Sequence, residues 1–322
     1  MHSLTAALCI AASLGAAAVH AAEPAYPARP VRIIVSNATG SSPEITGRIL
    51  ANKLTAQMGQ QFVVDARPGA SGIIGVELVK TAAPDGYTLL VGSTTVFSGL
   101  PALKPNISYD MERDFIPLTR IASVANVMVV QASLGVSTVA EFIKYAQANP
   151  GKLNCGHSGN GTPTHIAAAL FNVMAKVNIP QIPYKGAAQV LSDVIAGHIQ
   201  CQFTSPVVAM PHAKGGRVRV IATTGTGPDP LAPELPTVAQ TVPGYESTQW
   251  FGIAAPARTP KAIIDKLHGE IMRALRSPDV RDLLTKQGAT VQSESPAAFS
   301  KYIREERDRI AAVAKSAGIT ID

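Results

Sequence analysis

The chain has 322 residues, 46% hydrophobic and 16% charged, which excludes a fibrous or tail-like disordered protein and allows about two domains at roughly 150 residues each. Lysine plus arginine exceed aspartate plus glutamate by 28 to 22, for a net charge of +6, but aromatics are only 5%. The densest short basic cluster is Lys214, Arg217 and Arg219, so there is neither a phosphate-tracking stripe nor a stacking platform, and no nucleic-acid partner is expected.

Residues 1–21 read as a secretory signal peptide. They are apolar from Leu4 to Val19, and Val19-His20-Ala21 places small residues where a signal peptidase reads. The start carries His2 but no Lys or Arg, and a buried apolar helix is the alternative. No later segment is apolar for long enough to span a membrane. Cleavage removes Cys9 and leaves Cys155 and Cys201, an even number that allows one disulfide. Two buried free thiols are the favoured reading, because adjacent parallel strands rarely meet the geometry a disulfide demands.

In chain order, residues 32–35 read as a buried strand, followed by the loop from Ser36 to Ser42 and a helix. Ser42 is its expected cap, Pro43 fits the first turn, Glu44 complements the positive end, and Gly59 stops it. A strand at 62–65 leads through Arg67-Pro68-Gly69-Ala70-Ser71-Gly72 into a helix containing 76–81. The turn Pro84-Asp85-Gly86 precedes a strand at 87–91. Strand and helix alternate as in a parallel sheet covered on both faces. A second alternation has strands at 127–130, 153–156, 182–184, 199–203 and 218–223, with helices at 139–148, 164–176 and 188–196. Residues 224–245, rich in Pro and Gly, read as an ordered surface connection. Helices follow at 262–275, 278–287 and 296–317, the last with a charged outer face from Arg304 to Arg309.

Two such units predict a cleft, because open α/β sheets bind ligands beyond the carboxyl ends of their strands. The loops there carry Gly40-Ser41-Ser42, Ser93-Thr94-Thr95, Ser158-Gly159-Asn160-Gly161-Thr162, Lys185-Gly186 and Thr204-Ser205. Hydroxyls and backbone N–H groups at helix starts hold a carboxylate or phosphate without a fixed cation. Gly156-His157-Ser158-Gly159-Asn160 approaches the nucleophile elbow of hydrolases but ends in Asn160. No ordered Asp and His partners follow, so a serine hydrolase using Ser158 is the lesser reading. The chain has no phosphate-binding loop, and Gly69, Gly72 and Gly75 miss the dinucleotide spacing. H-E-x-x-H and C-x-x-C are absent too, so neither cofactor nor metal is expected. His165 reads as structural, with ligand contact the alternative, and Trp250 either lines the cleft or fills the core.

Six segments carry a resemblance over the mature length. They are Ala66-Arg67-Pro68-Gly69-Ala70-Ser71-Gly72-Ile73-Ile74-Gly75, Ala83-Pro84-Asp85-Gly86-Tyr87-Thr88-Leu89-Leu90, Ser158-Gly159-Asn160-Gly161-Thr162-Pro163-Thr164-His165, Pro183-Tyr184-Lys185-Gly186-Ala187-Ala188, Leu235-Pro236-Thr237-Val238-Ala239 and Trp250-Phe251-Gly252-Ile253-Ala254-Ala255-Pro256. The chain resembles the tripartite tricarboxylate transporter solute-binding proteins, also called the Bug family. The resemblance implies an α/β, two-domain periplasmic binding protein of type II, a Venus flytrap with mixed sheets, helices on both faces and a cleft between domains. Domain 1 is expected at 27–125 and 250–322, and domain 2 at 126–249. The protein is then a periplasmic monomer without cofactor and not an enzyme. It captures a small carboxylate for inner-membrane transporter subunits, with a sensor kinase as the alternative partner.

On that resemblance the ligand contacts are Asn37, Gly40, Ser41 and Ser42, with Ser93 and Thr94 behind them, facing Ser158, Gly159, Thr162, Thr164 and Thr204. The family usually has Pro-Gly-Gly leading to an Asp where this chain has Ala38-Thr39-Gly40-Ser41-Ser42-Pro43-Glu44, and often an Asp where it has Thr204. The expected ligand is therefore a carboxylic acid that needs no amino group.

Overall fold

Val31, Ile33, Ile34 and Val35 are fully buried, a β-branched run suited to a strand covered on both faces, and they form β1 (Val31–Val35). This computed structural model describes residues 26–104, 106–159 and 162–317. The signal-peptide reading, Cys9, Asn160 and Gly161 lie outside the described residues. Helix α1 (Ser42–Met58) has Pro43 in its first turn and ends at Gly59 in the left-handed conformation. Its N-cap is Ser41 and not Ser42, and no side chain caps it: the Ser41 hydroxyl donates back to the Ala38 carbonyl at 2.6 Å.

β2 (Phe62–Ala66), α2 (Ile73–Lys80) and β3 (Thr88–Ser93) follow, β2 and β3 flanking β1 in parallel. A π-helical turn, Thr95–Gly99, runs into α3 (Leu100–Leu103), and the long strand β4 (Phe115–Ala125) leads to a second group of elements. These are β5 (Val127–Gln131), α4 (Val139–Ala148), β6 (Cys155–His157), α5 (Pro163–Ala175), β7 (Gln181–Pro183), α6 (Ala187–Ala196), β8 (Cys201–Thr204), α7 (Pro206–Lys214) and β9 (Val218–Thr223). The chain then returns through β10 (Thr248–Pro256), α8 (Lys261–Arg276), α9 (Pro278–Lys286), β11 (Thr290–Val291) and α10 (Pro296–Ala317).

Two sheets result, ordered β11-β4-β10-β3-β1-β2 and β7-β6-β8-β5-β9. The expected parallel alternation holds for β1 to β3 and for β6 to β8. β10 runs antiparallel between β3 and β4, and β5 antiparallel between β8 and β9, so both sheets are mixed. In the first sheet, Leu50 and Leu54 of α1 with Leu267 and Ile271 of α8 cover one face, while Val76, Phe97, Trp250 and Phe299 cover the other. Trp250 is fully buried between Phe97 and Phe299, which makes it a core residue.

Two expectations are corrected. Cys155 and Cys201 are joined in a disulfide. They are directly paired across parallel β6 and β8, and this register brings their Cα atoms to 4.5 Å, inside the range a disulfide bridges. The Pro- and Gly-rich stretch at 224–245 is not only surface. Val238, Val242 and Tyr245 are buried in the second core, and the Tyr245 hydroxyl donates to the Ala167 carbonyl at 3.0 Å.

The chain crosses between sheets at Asn126 and again between β9 and β10. Thr224 stitches the crossings: its N–H donates to Asn126 O at 2.8 Å, its Oγ1 accepts from Asn126 N at 2.8 Å and donates to Ser247 O at 2.6 Å. α10 also spans both units. Phe299 and Ile303 pack on the first sheet, Ile310 and Ala314 meet Leu103 and Ile166, and Val313 joins the second core. Among the described residues no helix is long and apolar enough to cross a membrane.

Candidate ligand-binding site

The loop between β1 and α1 is shaped from below by glycines. A Cβ on Gly75 would stand 2.9 Å from Ser36 Cα and 3.0 Å from the Arg67 carbonyl, so the α2 start can approach Ser36 only without a side chain. Ser36 is buried and donates to Asn37 Oδ1 at 3.2 Å, while Ala38, Thr39 and Gly40 are exposed. Glu44 is almost fully buried. Its carboxylate accepts from Gly40 N–H at 3.2 Å and from Arg48 Nε, so a group of this chain engages the N–H expected to meet a ligand. Ser42 is exposed on the first turn of α1.

Across the fold, β6 delivers Ser158 to the start of α5. Gly156 is forced by packing, since a Cβ there would lie 2.4 Å from Val190 and 2.6 Å from Ile199. Ser158 Oγ lies 2.8 Å from Thr164 Oγ1 and donates to Thr162 Oγ1 at 3.3 Å; the two threonine hydroxyls are 3.1 Å apart. Thr162 is the N-cap of α5, accepting from His165 N–H at 3.4 Å and donating to Gly159 O at 2.7 Å. Ser158 N–H donates to Thr164 Oγ1 at 3.1 Å. Three hydroxyls thus converge, half-buried, on the positive end of a 13-residue helix, and among the described residues no cationic side chain takes part in their hydrogen bonds. Such a cluster offers donors to an anionic oxygen.

Beneath the cluster, His157 and His165 stack with ring centroids 4.1 Å apart and planes 12° from parallel. Burial lowers the pKa of both. His165 falls to about 4, the neighbouring His157 adding to the effect, so both rings are neutral near neutral pH. His157 Nδ1 sits 2.9 Å from Gly159 O, tying the loop to the strand. His165 is therefore part of a packed pair.

Thr204 ends β8, fully buried, with no hydrogen-bond partner for Oγ1; Asn126 is nearly as buried and its Nδ2 has none either. Ser93 is buried in β3. Thr94 turns toward β10, accepting from Trp250 N–H at 2.9 Å and donating to Trp250 O at 3.3 Å. Ser158, Thr162 and Thr164, with Gly159, are therefore brought into one cluster. Asn37, Gly40, Ser41 and Ser42 share the other loop, and Thr94 locks two strands. Thr94 and Thr95 line one crevice with Pro163 and Ile166, where the two units meet. Sequence reasoning did not single out Glu44 as a loop ligand, His157 as an anchor, or Asn126. Only tertiary burial distinguishes them. Among the described residues no cluster of three or more His, Cys, Asp or Glu could hold a metal.

Residues 46–319 match the family model of the tripartite tricarboxylate transporter family receptor. The chain is 31% identical over 296 residues to protein BugT of Bordetella pertussis, covering 91% of this chain and 90% of that protein. It is also similar to the structure described as R. palustris Rpa4515 with adipate, at 33% identity and TM-score 0.75, covering 92% of this chain and 99% of that one. MatC (Rpa3494) from Rhodopseudomonas palustris with bound malate matches at 28% identity and TM-score 0.70, covering 89% and 99%. The α/β fold, with two sheets and a cleft between two domains, is that of periplasmic binding proteins. The chain belongs to the tripartite tricarboxylate transporter receptor family, whose members are solute-binding receptors and not enzymes.

Proposed function

We propose that this receptor works in the periplasm, captures a small carboxylate in the interdomain cleft and delivers it to the membrane subunits of a tripartite transporter. The observation that carries the reading is the Ser158, Thr162 and Thr164 cluster at the start of α5, a neutral donor set matched to an anionic oxygen. Similar structures hold adipate and malate, which supports the chemical class. The domains are 27–125 with 250–322, and 126–249, and ligand shifts the open and closed populations by its differential affinity for the closed form. Asn37, Gly40, Ser41 and Ser42, backed by Ser93 and Thr94, face Ser158, Gly159, Thr162, Thr164 and Thr204 across the cleft. With Thr204 and no carboxylate at the end of β8, the ligand needs no ammonium group.

Thermal unfolding of the chain from Ala22, stripped of bound solute through denaturant and refolded, tests this with mono-, di- and tricarboxylates, glutamate and aspartate. A plain carboxylate at 100 times its dissociation constant is expected to add about 2.7 kcal/mol. Ser158→Ala is expected to weaken binding by about 1 to 3 kcal/mol, the cost of a charged hydrogen bond left unmade. A flat panel overturns the carboxylate reading. Tighter binding of glutamate or aspartate overturns the inference from Thr204, and unchanged affinity in the variant removes Ser158 from the site.

A further inference from the structure

A second cavity, of about 390 Å³, lies between the two units away from the hydroxyl cluster. Its walls are the crossing strands at Ala125 and Thr248, the loop from Gly225 to Pro230, and Arg120, Gln292 and Tyr302 of the first unit. In the sheet order it falls on the β11 side of the crossing strands β4 and β10, whereas the loops after β1 and β3 fall on the other. Its volume lies within the range of small-molecule sites.

The charge on its walls is unbalanced. Arg120 is held bidentately by Glu294 at 2.7 and 2.9 Å and lies 3.6 Å over the Tyr302 ring, so its charge is already matched. Arg309 is paired with Glu306 and reaches Glu246 only at its carbonyl. Among the described residues the Glu246 carboxylate accepts one hydrogen bond, from the Thr248 hydroxyl at 3.4 Å, and it otherwise acts at longer range on Arg120, which Glu294 already holds. Asp229 is 2% exposed. Its Oδ1 accepts from Leu231 N–H at 2.9 Å, the Ala232 N–H also favours the carboxylate and Glu234 opposes it, while its Oδ2 is buried without a hydrogen-bond partner. A carboxylate oxygen so placed carries a desolvation cost that an incoming donor would relieve, and burial accordingly raises its pKa.

We propose that this cavity is a binding site for a small organic cation bearing a primary ammonium group, held by the carboxylates of Asp229 and Glu246. An ammonium with three N–H donors suits two carboxylates and the surrounding hydroxyls. A quaternary ammonium does not, because Arg120 already covers the Tyr302 ring. The site stands apart from the carboxylate cleft and does not depend on that reading.

Ethanolamine is the probe, titrated into the mature chain and followed by calorimetry, with ethylene glycol and tetramethylammonium as controls. Saturable binding of ethanolamine alone is expected, weakened at least tenfold in Asp229→Asn and in Glu246→Gln. Asp229→Asn keeps an acceptor for Leu231 N–H, so the fold is retained, and an unchanged melting temperature checks this. No saturable binding at 10 millimolar ethanolamine, on the order of the weakest affinities a small-molecule site shows, overturns the proposal. So does equal binding of ethylene glycol or tetramethylammonium, or affinity unchanged in both variants.

Discussion

Gly75 shows how one missing side chain sets the first loop. The atoms a Cβ would strike, Ser36 Cα and Arg67 O, belong to the backbone and cannot rotate aside. Gly75→Ala is therefore expected to lower stability by about 1 to 3 kcal/mol, as overpacking does, read as a shift in denaturant midpoint. A midpoint unchanged from wild type would mean the loop yields freely. The His157 and His165 pair makes a prediction in pH. Their folded-state pKa values lie below the ordinary 6.5, so the unfolded chain takes up protons first on acidification. The stability linked to the neutral rings is complete above pH 6.5, declines as pH falls toward about 4, and is lost no further below that. The melting temperature is expected to fall across this window, and less steeply in His165→Gln. An equally steep fall in the variant would exclude His165 as the source.

At the scale of elements, the disulfide ties the strand that presents Ser158 to the strand that ends in Thr204. With the cysteines 46 positions apart in the chain, loop-closure entropy gives it about 4 kcal/mol of stability. Cys155→Ala with Cys201→Ala should lose most of that in chemical denaturation, and wild type under reductant should follow it. Midpoints equal to oxidised wild type would show that the bond contributes little. α4 and α10 were legible to the residue, and most other strands and helices to within one or two residues at their ends. α4 begins where Thr138 caps Glu141 N–H at 3.1 Å, and the Glu141 carboxylate accepts from Ser137 N–H at 2.6 Å, one residue before the cap. β10 is buried on both faces and shows no alternation, β4 carries Pro117 inside it, and α7 contains Pro211, so the usual cues misdirect. The disulfide was misjudged for a similar reason: register, which decides Cα separation, is a property of paired strands.

For the whole molecule, α10 is the element that makes two units one. Ile310 and Ala314 meet Leu103 of the first unit and Ile166 of α5, directly after the hydroxyl cluster. Ile310→Ala is expected to cost about 2 to 4 kcal/mol by cavity formation, and to split thermal unfolding into two transitions as the units uncouple. Calorimetry reads both. One transition at the wild-type midpoint would show that α10 does not couple them.

The sequence by itself determined the α/β class, most of the parallel strands and their helices, the family, and the hydroxyl-rich loops at the strand ends. These follow from hydrophobic period, capping and turn residues, and short motifs, all local in the chain. Tertiary structure decided what depends on distant partners. It gathered Ser158, Thr162 and Thr164 into a cluster, placed Glu44 on Gly40 and turned Thr94 to Trp250. It also stacked His157 on His165, and left Asp229 Oδ2 unpaired at the crossing between the units. Burial and hydrogen-bond pairing are relations between segments far apart in sequence, and they exist only once the strands are in register.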